Sequence, residues 1–201
     1  MGTTSQYKSI SSISRGEYRE KGSRFIGIAF PVHSEEEVKE ILTGLKKEYH
    51  DARHHCFAYV IGPDKEFIRA NDDGEPSHSA GKPILTQIET RDLTNILVVV
   101  VRYFGGTLLG VGGLINAYKS AASEALENAK IIIKTIKERL SLSFEYPQMN
   151  AVMSLTKDED MDVISRTYEL QCTLIVAIPK GKVEEFLKRC NQIDNLKVIR
   201  E

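Results

Sequence analysis

The sequence predicts an α+β protein in two domains, and three observations predict it. A six-residue apolar run, Ile96 to Val101, lies between shorter alternating segments and suits a strand covered on both faces. Helical periodicity recurs between those segments. From Ile131 the pattern restarts and reads β-α-β-β-α-β, the element order of a ferredoxin-like domain.

Taken in order, residues 1–18 are polar and rich in Ser and Thr and read as a flexible lead-in. Ser23–Val32 reads as a strand. Ser34 is placed to cap a helix, with Glu37 completing a capping box and Val38, Ile41, Leu42, Leu45 and Tyr49 forming its apolar stripe. His55–Ile61 and Glu66–Ala70 flank Gly62-Pro63-Asp64-Lys65 as a hairpin. Asn71–Ala80 is a polar loop, followed by a short helix over Ile84–Glu89. After the buried strand comes a glycine-rich segment and then a helix over Leu114–Ala129, whose alanines predict close packing on a sheet. In the second part, Leu140, Leu142, Phe144 and Tyr146 alternate as a half-buried strand. Pro147 opens a helix, Val163–Glu169 and Cys172–Ile178 are strands, a helix carries Val183, Phe186, Leu187 and Cys190, and Leu196–Arg200 closes the order.

Composition excludes several classes. The net charge is −1, with 17 basic and 17 acidic residues up to Thr135 and 10 and 11 after it, so neither part is a basic module that binds nucleic acid by charge alone. No apolar stretch is long enough for a membrane helix, no partner in a membrane is expected, and the cytoplasm is the expected compartment. Three separated cysteines, with no CxxC pair, fit neither a disulfide framework nor a zinc ribbon. No cofactor or metal is assigned.

Candidate chemistry concentrates in two loops, Asn71–Lys82 and Arg102–Gly113. Five glycines in the nine residues from Gly105 to Gly113, namely Gly105, Gly106, Gly110, Gly112 and Gly113, stand between a strand and a helix. Backbone amides there could converge on an anion at a helix N-terminus, or the glycines could only permit tight packing. The spacing is neither a Walker loop nor a dinucleotide fingerprint. In the other loop Asp72, Asp73 and Glu75 could hold a hard cation or form a solvated turn. Ser77, Ser79 and Lys82 complete that loop's candidates. His54 shares a strand face with Cys56. The buried strand delivers Arg102 and Tyr103 to the glycine loop, where Arg102 could pair with an anion or with Asp73 or Glu75. Lys119 is a further cation about two turns into the next helix.

The motifs Ala52-Arg53-His54-His55-Cys56-Phe57-Ala58-Tyr59, Asp73-Gly74-Glu75-Pro76-Ser77, Ala80-Gly81-Lys82-Pro83 and Val100-Val101-Arg102-Tyr103-Phe104-Gly105-Gly106 together resemble the YigZ/IMPACT family, as does Gly110-Val111-Gly112-Gly113-Leu114 with Ala117-Tyr118. The resemblance covers Arg19–Lys130. It implies a ribosomal-protein-like left-handed β-α-β domain over residues 19–133. Residues 134–201 resemble a small ferredoxin-like domain similar to the last domain of elongation factor G. Where the family loop reads Gly-Thr, this chain has His78-Ser79. Eukaryotic relatives are linked to control of translation initiation through protein contacts that use an extra N-terminal module, and that partner role is not expected to carry over. Two translation-factor-like folds in one chain motivate the expected function, a translation-associated factor contacting RNA, the ribosome or a protein partner. The alternative is an enzyme or sensor for a small phosphorylated ligand held by the glycine loop.

Overall fold

The computed structural model describes residues 6–157, 160–169 and 171–201. They fall into two units, Tyr7–Lys134 and Thr135–Glu201, with Gln6 grouped with the second. Residues 1–5 of the expected lead-in lie outside the described residues.

The first unit runs β1 (Gln6–Ile10), β2 (Ser14–Glu20), β3 (Ser23–Pro31), α1 (Glu35–Glu48), β4 (His54–Ile61), β5 (Phe67–Asn71), α2 (Gly81–Glu89), β6 (Ile96–Tyr103), α3 (Gly110–Glu127) and β7 (Ile131–Thr135). Five of these strands form one sheet in the order β2-β3-β6-β4-β5, and every neighbouring pair is antiparallel. Strands β3 and β4 therefore run parallel, with β6 between them and α1 as their connection. All of Ile96–Val101 is buried, because helices cover both faces. Val38 and Leu45 of α1 meet Ile28, Leu97, Val99 and Val101 on one side. On the other, Ile84 and Ile88 of α2 and Ala117, Ala121 and Leu126 of α3 meet Phe25, Cys56, Val98 and Val100. The two faces alternate residue by residue, as the two-residue period of a strand requires.

The helix alanines lie close to the sheet as expected. A Cβ on Gly27 would come within 2.2 Å of the Ala121 carbonyl, so only glycine fits there. Ser34 caps α1 by accepting from the Glu37 amide at 3.3 Å, while Glu37 reaches back to the His33 amide at 2.8 Å.

Three boundaries differ from expectation. The stretch read as a flexible lead-in carries β1, paired with β7, and β2, paired with β3 from Ser14↔Ala29 to Glu20↔Ser23. As an edge strand, β2 needs little apolar content, so its pattern is weak in sequence. Helix α2 starts at Gly81 rather than Ile84, because the Asp72 carboxylate accepts from the Ala80 and Gly81 amides at 3.0 and 2.8 Å. Helix α3 starts at Gly110 rather than Leu114, so Gly110, Gly112 and Gly113 belong to its first turn and not to the preceding loop.

The second unit contains β8 (Lys137–Phe144), a 3-10 turn at Tyr146–Gln148, α4 (Met149–Leu155), β9 (Asp162–Tyr168), β10 (Cys172–Pro179), a second 3-10 turn, α5 (Val183–Cys190) and β11 (Lys197–Arg200). The strands order as β11-β8-β10-β9, all antiparallel, and the β-α-β-β-α-β sequence is present. Leu140, Leu142, Phe144, Leu174 and Val176 meet Val152, Phe186 and Cys190 in its core. Burial pushes the Cys190 thiol up to about 11, consistent with a small core residue. No helix among the described residues is long and apolar enough to cross a membrane.

Candidate functional site

The C-terminal end of β6 places Arg102 on the α2/α3 face of the sheet, opposite His54 of β4 and Phe25 of β3. The Arg102 side chain is 7% exposed and its Nη1 donates to Glu75 Oε1 at 2.5 Å. Glu75, equally buried, also accepts from the Tyr118 hydroxyl at 2.7 Å, and His54 Nε2 stands 3.9 Å from the same oxygen. His54 Nδ1 lies 2.8 Å from the Asp73 carbonyl; a carbonyl only accepts, so Nδ1 carries the proton. The Arg102 guanidinium sits 5.5 and 5.7 Å from the ring centres of Phe25 and Phe104, an arrangement that stabilises a cation away from water. Its Nε has no hydrogen-bond partner.

This network forms the floor of a cleft of about 370 Å³. Arg53, His54, Glu75 and Arg102 line one end. Phe104, Leu108, Leu109, Val111 and Leu114 form the walls. The rim is apolar and open: Phe104 and Val111 are about half exposed and Leu108 is 83% exposed. Helix α3 begins here, and no side chain caps its first amides.

The three loop carboxylates diverge. Asp72 turns inward and accepts from the His78, Ala80 and Gly81 amides. Burial would raise its pKa, but the Gly81, His78 and Ala80 amides outweigh that and hold it below the ordinary carboxylate value. Asp73 accepts from the His55 amide at 2.7 Å and lies 3.8 Å from Lys46. Glu75 serves Arg102 and Tyr118. Among the described residues no group of three His, Cys, Asp or Glu side chains is placed to hold a metal. Cys56 donates to the Asp72 carbonyl at 3.0 Å and burial drives its thiol far up, so it is packed and un-ionised.

The other candidates separate. Tyr103 follows Arg102 along the strand, so it faces the opposite side and donates to Asp51 at 2.8 Å. The expectation that Arg102 and Tyr103 reach the mouth together is corrected by this alternation. Gly105 is a packing residue: a Cβ there would lie 1.9 Å from the Gly22 backbone, and its amide donates to Ser23 Oγ at 3.1 Å. It has no amide left for an anion. Gly106 is exposed beside it. Ser79 is buried and donates to the Pro76 carbonyl, while Ser77 is exposed. Lys82 and Lys119 line a second cleft, between α2 and α3, with His78 and Ile115. Tyr118 belongs to the motifs that carry the family resemblance but was not among the candidate site residues. Its place one residue before Lys119 on an alanine-rich helix face is the available signal.

The fold and the cleft define a two-unit mixed α/β protein whose first unit holds a buried Arg–Glu–Tyr network under an apolar mouth. A family model described as the Impact N-terminal domain matches residues 21–126. The chain is 39% identical over 168 residues to the IMPACT family member YigZ of Escherichia coli strain K12, covering 83% of this chain and 82% of that protein. It is 34% identical, with the same coverage, to an IMPACT family member of Haemophilus influenzae. A crystal structure described as that of a hypothetical protein superposes with a TM-score of 0.78 at 33% identity, covering 98% of each chain. The chain belongs to the IMPACT family.

Proposed function

We propose that this protein is a translation-associated regulatory factor of the cytoplasm that acts by binding, with the cleft of its first unit as the contact site. The observation that carries the reading is the contrast between rim and floor. Phe104, Leu108 and Val111 are exposed around a floor whose carboxylate is already committed to Arg102 and Tyr118. Exposed apolar groups gathered at one mouth mark a contact surface. Family membership supports the translation setting. The partner is RNA, the ribosome or a translation-related protein, and the near-neutral charge with an apolar rim favours a protein surface.

The finer fold assignment belongs to the same proposal. Parallel β3 and β4 joined by α1 around β6 support a ribosomal-protein-like left-handed β-α-β domain over 19–133, and the strand order β11-β8-β10-β9 supports a ferredoxin-like domain over 134–201. Sedimentation with ribosomes across a salt series tests the reading. Association at low salt that persists as salt rises is expected, because apolar contacts are not screened. Absence from every ribosomal fraction at low salt contradicts the ribosome version.

One observation favours a second reading, a small anionic ligand. Arg102 and the start of α3, which has no side-chain cap, line the same cleft. Thermal shift with nucleotides and phosphosugars, with and without magnesium, tests its phosphorylated form. No stabilisation by any of them counts against it.

A further inference from the structure

Val111, Ile115 and Lys119 stand at i, i+4 and i+8 on α3 and form one row along the helix. Val111 and Ile115 are exposed, the latter at 39%, and exposed Leu108 precedes them at the mouth. The row joins the two clefts of the first unit. Val111 borders the first, and Ile115 with Lys119 borders the second, which holds about 500 Å³. The facing wall also runs on, from Pro76 in the first to His78, Lys82 and Thr86 in the second. The two clefts are therefore one groove between α3 and the acidic loop with α2. From Val111 to Lys119 its apolar wall is about 12 Å long.

The charge of the groove is one-sided. Arg53 stands in the first part, Lys82 and Lys119 in the second. Glu75, the one carboxylate in either lining among the described residues, is buried on Arg102 and Tyr118. Lys82 lies 3.6 Å from Glu89, while no ion pair among the described residues reaches Arg53 or Lys119. An apolar row between separated cations fits a segment that is apolar in its middle and carries carboxylates toward its ends. The walls decide the conformation of that segment. Strand addition needs a free sheet edge, and the neighbouring β4 and β6 are each paired on both sides. Helices α2 and α3 offer rows of side chains, which seat another helix. Among the described residues Phe104 alone of the phenylalanines and tyrosines lines the groove, so it lacks a platform for stacked bases.

We infer that this groove seats an amphipathic helix of a protein partner. The apolar face of that helix lies on Leu108, Val111 and Ile115, and its acidic ends meet Arg53 and Lys119. The inference rests on the contact-site reading of the first cleft and extends it along α3 and α2.

The test is selection against the full chain from a displayed library of helical peptides randomised at every exposed position. Enriched peptides are expected to carry large apolar residues at i, i+3 or i+4 and i+7, with Asp or Glu toward the ends. They are expected to shift the Val111, Ile115 and Lys119 amides of the isotope-labelled chain saturably. Ile115→Glu should keep its melting temperature and lose the binding, and Lys119→Glu should weaken it about tenfold. Basic rather than acidic ends, or tighter binding of a single-stranded RNA oligonucleotide at the same amides, overturns the inference. Peptide binding that is lost in Leu108→Asp but kept in folded Ile115→Glu also overturns it, and leaves the first cleft standing as a contact site. Binding kept in both variants overturns the groove and that reading together. No enrichment overturns the helix alone, since ribosome sedimentation tests the contact-site reading without a peptide.

Discussion

The two loops of the cleft are held in opposite ways. Asn71–Ala80 is bonded almost wholly to its own surroundings: Asp72 caps α2, Asp73 holds the start of β4, Glu75 anchors Arg102, and Ser79 ties back to Pro76. Phe104–Leu109 is held by the Gly105 amide on Ser23 and by Leu109 on the core, and presents Phe104 and Leu108 to solvent. The acidic loop, chemically the richer in sequence, is the scaffold. The glycine loop, chemically the poorer, is the face proposed to meet a partner. Changes in the first should therefore cost stability, and changes in the second should cost binding.

The largest effect is expected at Glu75. Glu75→Ala leaves a buried guanidinium without its carboxylate and should destabilise the protein by about 3–5 kcal/mol in denaturant unfolding. Glu75→Gln, which keeps acceptors for Arg102 and Tyr118, should cost clearly less. Loss within about 0.5 kcal/mol for Glu75→Ala would remove the network from its anchoring role. Next is Asp72→Ala, which strands the Ala80 and Gly81 amides at the start of α2 and the His78 amide before it, and should cost about 2 kcal/mol. Amide exchange in Ala80–Ile84 should rise with it; unchanged protection there would contradict the cap.

A smaller effect concerns acid. His55 is buried against the α1 face, and burial first, with Lys46 and His54 adding to it against Asp73, lowers its pKa from the ordinary 6.5. The unfolded chain then takes up the proton first as pH falls. His55 thus contributes stability that is complete above 6.5 and declines as pH drops from there toward its lower folded value. Asp72, also depressed, loses its contribution further down, below the ordinary 3.8. Unfolding midpoints followed with pH should show the upper decline in the native chain and in His50→Gln, but not in His55→Phe. A decline that persists in His55→Phe assigns it elsewhere.

Much of this was legible in the sequence where the signal is local. Ser34 with Glu37, the Gly62–Lys65 turn and the unbroken Ile96–Val101 run each report their structure within a few residues. Arg102, His54 and Glu75, candidates on three separate segments, do meet. What was lost depends on distance or on exposure. Glu75 meets Tyr118 across 43 residues, and no spacing rule predicts that pair. Tyr103 could have been separated from Arg102 by strand alternation alone. Leu108 and Val111 read in sequence as ordinary apolar residues; only the fold shows that nothing covers them. Strands β1 and β2 were hidden by polar edge positions, and the start of α3 by glycines that normally discourage a helix.

The most direct measurement is paired, on one substitution in the open loop. Leu108→Asp should change stability by no more than about 0.5 kcal/mol, since the side chain is 83% exposed. Ribosome sedimentation of that variant, beside the native chain at equal salt, should show the association lost. Co-sedimentation undiminished in a folded Leu108→Asp protein would contradict the assignment of this loop as the contact face.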